Sequence, residues 1–175
     1  MSKVSPQPLP EHALLAQYAG NGGYTDCYAI DLPGDFSHAE YVSAFYTTWL
    51  FRLERAVLRL VKRPSSDDEA AELARGKRGS FAAWTVEAQA PNQLLMCDFM
   101  GATRSWLMVE PRREGGMTRL YFGSAVLPRS HGKSGPRLGW RYRALLGFHK
   151  KYSRALLAAA RTRLTNGMNS GLTSA

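Results

Sequence analysis

The sequence predicts an α+β domain in which an antiparallel sheet wraps around a long C-terminal helix. Three observations predict it. Apolar residues recur at steps of three and four from Leu138 to Leu164; four strand-like stretches joined by short turns fill Phe81 to Leu127; and one strand with two capped helices precedes them. A chain of 175 residues is one domain, large enough to bury about two-thirds of its unfolded surface. The domain is expected over 24–164, after a mobile N-terminal arm (1–23) and before a frayed tail (165–175).

The arm is Pro-rich at its start and Gly-rich at its end, with at most a short helical turn around Glu11 to Tyr18. Tyr24 to Leu32 reads as a strand: Tyr24, Asp26, Tyr28, Ile30 and Leu32 share one face, and Pro33-Gly34 ends it. Ser37 and Glu40 form a capping box, with Phe36 and Tyr41 as its hydrophobic staple. The helix they start runs to about Val61 on a stripe of Val42, Phe45, Trp49, Leu53, Val57 and Leu60, with a kink near Thr47-Thr48 that would split it. Ser66 and Glu69 repeat the capping box for a short helix, Asp67 to Arg75, closed by Gly76.

The sheet follows as strands over Phe81–Gln89, Gln93–Met100, Thr103–Glu110 and Met117–Leu127. The turn Ala90-Pro91-Asn92 fits two or three loop residues, and the choice decides whether Asp98 or Phe99 shares a face with Trp84. Gly101-Ala102 fits a two-residue turn, which sets Asp98 opposite Ser105 and Phe99 opposite Arg104. The last helix carries Leu138, Tyr142, Leu145, His149, Tyr152, Leu156, Ala160 and Leu164 on one side and would be roughly 40 Å long.

Charge is unevenly placed. The chain carries +9, from 23 basic and 14 acidic side chains. Thirteen of the bases and only Glu114 of the acids lie between Arg112 and Arg163, so that segment is +12 and the remainder −3. Weak, salt-sensitive contact with anionic surfaces is expected, without specific nucleic-acid recognition, because the aromatics are not interleaved with the charges. No 18-residue apolar run predicts a transmembrane segment, and the first twenty residues lack a signal peptide's apolar core. Cys27 and Cys97 have no metal or redox spacing and read as reduced thiols of a cytoplasmic protein. Gly132-Lys133-Ser134 looks like the end of a phosphate loop, but Leu127 stands where its first glycine belongs, so no such loop is present.

The order strand, helices, antiparallel meander, long helix resembles the helix-grip fold of the START-like (SRPBCC, Bet v 1-like) superfamily, which includes lipid-transfer domains and polyketide cyclases. Gly139, Tyr142, Phe148 and His149 are similar to positions in the last helix of the DUF2867 group; Asp98 is present, but the His of that group's strand motif does not follow it. The resemblance implies an internal cavity for a small hydrophobic or amphipathic molecule, and alternatively a cofactor-independent cyclase, isomerase or lyase.

His149, on the inward stripe, is the leading candidate for acid–base chemistry, with Tyr142 on the same stripe and Asp98 in the apolar run Leu94–Met100. Trp84, Met96, Arg104, Trp106, Tyr121, Leu145 and Tyr152 are the candidate ligand contacts. No metal site and no cofactor are expected, and oligomeric state is left open.

Overall fold

A computed structural model describes residues 3–20, 24–60, 65–112, 116–127 and 140–172; the side chains of 54, 57–60, 140–150 and 168–172 are outside the description. Two short segments precede the main sheet: β1 (Ser5–Pro6) and a 3₁₀ turn, Leu14–Tyr18. Then come β2 (Tyr24–Pro33), α1 (His38–Tyr46), α2 (Trp49–Leu60) and α3 (Asp67–Ala74). The meander is β3 (Ser80–Phe81), β4 (Trp84–Ala90), β5 (Gln93–Asp98), β6 (Thr103–Arg112) and β7 (Met117–Val126), and α4 (Trp140–Leu172) closes the chain. All seven strands form one antiparallel sheet in the order β1-β2-β7-β6-β5-β4-β3. The helices gather on one face, where α4 packs against α1, β2 and β7, so the fold is a helix-grip α+β arrangement.

Both capping boxes form. The Ser37 side chain accepts from the Glu40 amide (3.2 Å) while the Glu40 carboxylate accepts from the Ser37 amide (2.8 Å). Ser66 and Glu69 do the same at 3.1 and 2.9 Å. After α3 the amides of Gly76 and Lys77 reach back to the carbonyls of Leu73 and Glu72, with Gly76 at φ +69°. That is the six-to-one closure a glycine permits.

The helix expected from Ser37 to Val61 is two helices. Thr47 bonds back to the Ser43 carbonyl (2.7 Å), and the Thr48 hydroxyl accepts from the Phe51 amide (3.2 Å), capping a new start. The break rotates the second stretch. Phe51 and Arg55 turn inward, whereas Trp49 and Leu53, expected on the buried stripe, are exposed. Phe51 joins an aromatic cluster with Phe45, Tyr46 and Phe81. Arg55 is held by Ser65 Oγ (2.9 Å) and Asp67 Oδ1 (2.6 Å) at the start of α3.

Other boundaries also differ. The strand expected from Phe81 is broken by a tight turn in which Ala82 takes a positive φ of 53°, so β3 and β4 make a hairpin of their own. The loop between β4 and β5 is Pro91-Asn92, and a bulge between Val86 and Ala88 sets Trp84 opposite Asp98. The next turn is longer than two residues: Arg104 pairs with Cys97 and Ser105 with Met96, not with Phe99 and Asp98. The tail expected to fray after Leu164 continues α4 to Leu172.

The N-terminal arm is not loose over 3–20. Gln7 and Cys27 share a backbone bond beside the β1–β2 pairing, and Leu15 is fully buried on the sheet face away from the helices. Gln93 explains why. Its side-chain oxygen accepts from the Leu14 amide and from Trp106 Nε1, both at 2.9 Å, and its amide donates to the His12 carbonyl (3.1 Å). One buried amide thus ties the segment to two strands, and a buried amide without such partners would be costly.

Candidate functional site

The sheet separates two cores. The inner one combines Tyr28, Ile30, Leu32, Leu94, Met96, Leu107 and Phe122 with α1 and with Leu156, Leu157, Ala160 and Leu164 of α4. The outer one holds Leu15, Cys27, Ala29, Leu95, Trp106, Met108 and Tyr121. The expected ligand contacts are split between them. Met96 is buried in the inner core, with Trp84 and Tyr152 half-buried against it. Trp106 and Tyr121 belong to the outer core under the N-terminal segment, so they cannot line a cavity facing α4. Arg104 is on that outer face too: it donates to Glu87 (2.8 Å), lies 4.9 Å from the centre of the Tyr18 ring, and is committed there. Leu145, His149 and Tyr142 lie in α4, but their side chains are outside the described residues.

Asp98 is a turn residue. Its carboxylate accepts from the amides of Ala102 (2.7 Å) and Thr103 (3.2 Å), which fixes the reversal between β5 and β6. The acid on the inner face is Asp26, which accepts from Ser124 Oγ (2.5 Å) and Tyr24 OH (3.1 Å). Burial, and then the charge of Asp26, raise the pKa of the neighbouring Tyr28 phenol. Asp26 thus holds two hydroxyls in place, those of Tyr24 and Ser124. Its place on the Tyr24–Tyr28–Ile30 face was readable from strand alternation.

The main cleft described is not between sheet and helix. It is an open cleft of about 1300 Å³ between α1, the start of α2, α3 and the second half of α4. Its walls are small: Ala39, Ala44, Ala71, Ala74, Ala155 and Ala158. Its rim carries Arg52, Arg75 and Arg163 against one acid, Glu40, which is engaged in the capping box. Arg52 pairs with Asp67, but no ion pair engages Arg75 or Arg163 among the described residues. An apolar trough with cationic ends accommodates an apolar body with an acidic head. None of the seven sequence candidates whose side chains are described lines it, because the trough is made of alanines, whose spacing is indistinguishable from ordinary helix packing.

His38 was also missed. It opens α1 and lines a depression of about 710 Å³ that shares Ala39, Ala74 and Arg75 with the cleft. Burial lowers its pKa, partly offset by a bond to the Leu107 backbone, so the ring is neutral. No group of three or more His, Cys, Asp or Glu among the described residues could hold a metal ion. No described helix is long and apolar enough to cross a membrane.

No protein-family model matches the chain, and no curated protein matches it. Among solved structures the chain is similar to the crystal structure of CalU16 from Micromonospora echinospora, at 13% identity over 93% of this chain and 92% of that one, with a TM-score of 0.29. A likeness of that size transfers no function.

Proposed function

We propose that the protein is a START-like binding module for a small amphipathic molecule with an acidic head, held in the cleft between α1, α3 and α4. The observation that carries this reading is the alanine-walled cleft, about 1300 Å³, rimmed by Arg75 and Arg163. The apolar body lies along the alanines and leaves water; the acid meets guanidinium groups that have no carboxylate partner among the described residues. The ligand class expected from the sequence is retained, while its place moves from the sheet to the helices. Proton-transfer chemistry is the weaker reading, since the Asp98 carboxylate is occupied by the turn it closes.

Calorimetric titration with decanoate, decanol and decylamine tests the proposal. Decanoate should bind on the order of tenfold more tightly than decanol, as a charge-assisted hydrogen bond requires. Decylamine should be the weakest. Equal affinity for all three, or no binding by any, would refute it.

A further inference from the structure

Helix α2 has two apolar sides, and only one is covered. Phe51 is buried among Phe45, Tyr46 and Phe81, and Arg55 on the same side is fixed to Ser65 and Asp67. Trp49, Leu53 and Ala56 follow at i, i+4 and i+7 along the other side, and all are exposed. Trp49 is 70% and Leu53 58% accessible, the two most exposed large apolar side chains among the described residues. The helix cannot roll to hide them, because that would withdraw Phe51 and uncouple Arg55.

The surroundings indicate what covers this ridge. Trp49 stands at the mouth of the cleft, whose rim presents Arg52, Arg75 and Arg163. Asp67, the nearby acid, is taken up by Arg52 and Arg55, and Glu40 by its capping box. Among the described side chains at the cleft rim, the charges left without an acidic partner are those of Arg75 and Arg163. A protein partner of ordinary affinity needs an interface of about 1,600 Å², far more than two side chains supply. A bilayer does not: a few inserted apolar groups plus basic contacts suffice, and tryptophan favours the headgroup level.

We propose that the Trp49–Leu53 ridge of α2, with Arg75 and Arg163 beside it, docks this protein on an anionic lipid bilayer. Trp49 and Leu53 enter the acyl boundary, and the arginines meet lipid phosphates. The surface shares Arg75 and Arg163 with the cleft, so an amphipathic acid bound there competes with lipid phosphate for these guanidinium groups, while insertion of Trp49 and Leu53 does not depend on it.

Vesicle co-sedimentation tests it, using phosphatidylcholine alone and phosphatidylcholine mixed with phosphatidylglycerol. The full chain should bind the mixed vesicles and lose them as salt rises. Trp49→Ala and Leu53→Ala should each weaken binding roughly tenfold, as burial of one large apolar side chain implies. Arg75→Gln and Arg163→Gln should each weaken it about fivefold. These side chains are exposed, so melting temperatures should be unchanged, which separates loss of docking from loss of fold. Three results would overturn the proposal: no binding to the mixed vesicles at low salt; binding undiminished in the Trp49→Ala/Leu53→Ala double variant; or self-association of the free protein that this double variant abolishes, which would assign the ridge to a second copy of the chain.

Discussion

On the outer face of the sheet, Leu15 meets Trp106 and Gly123 so closely that a methyl group at Gly123 would lie 2.8 Å from Leu15 Cδ2 and 2.9 Å from Trp106 Cε3. On the helix side, by contrast, α3 and α4 both pack on α1 through small side chains and leave a cleft of about 1300 Å³. The outer face is sealed by a short segment that has no regular structure beyond one strand pair and a 3₁₀ turn. The other face is covered by three full helices yet remains open. Closure here follows from side-chain size and a buried amide, not from how much secondary structure lies on top.

Removing residues 1–20 should have the largest effect. It strips Leu15 from the outer core and uncovers Leu95, Trp106 and Met108. A loss of about 5 kcal/mol or more is expected in urea unfolding, from several large apolar side chains returned to water. A truncated chain as stable as the full one would show that the segment merely rests on the sheet.

Gly123→Ala is the next largest. The new methyl has to displace Leu15, Trp106 or the Asp26 carbonyl, which is 3.0 Å away. Overpacking of this kind costs about 1–3 kcal/mol. Ala155→Leu, which adds three carbons to the exposed cleft wall and keeps a good helix former, should change stability by less than about 0.5 kcal/mol. Equal costs at the two sites would erase the distinction between the faces.

A smaller effect is expected from acid. Burial keeps His38 neutral at pH values where the imidazole of the unfolded chain is already protonated. The unfolded state therefore binds more protons, and stability should fall as pH drops below about 6.5, levelling off below the folded value. His38→Asn should flatten that part of the stability profile; an unchanged profile would mean that His38 is not responsible.

Thiol labelling gives the smallest readout. Cys27 lies in the outer core, and its pKa is pushed up to about 12 by burial first and Asp26 second. Cys97, half-buried at the end of β5, is raised by burial but stays within reach of solvent. Cys97 should react first with a disulfide reagent at neutral pH, and Cys27 only on unfolding. Early labelling of Cys27 would mean that the N-terminal cover opens readily.

Much of the fold was legible because it is written in local chemistry. The capping boxes at Ser37 and Ser66, the glycine after α3 and the alternation in the meander each act within a few residues. The break at Thr47-Thr48 was legible as a kink, but its rotation was not, since it depends on Arg55 finding Ser65 and Asp67. Register failed at Gly101 for a similar reason: the Asp98 carboxylate holds a longer turn than its glycine suggested. The N-terminal cover depends on Gln93, some eighty residues away in sequence, and the cleft on how three alanine-bearing helices are spaced. Neither leaves a periodic trace.

Amide chemical-shift mapping during a decanoate titration distinguishes an open helix-side cleft from a sealed outer face. Saturable shifts are expected over Ala39–Thr48, Ala71–Arg75 and Ala155–Gly167, with Leu14–Tyr18, Gln93 and Trp106 unmoved. Shifts confined to the outer-face residues, or spread evenly over both faces, would contradict it.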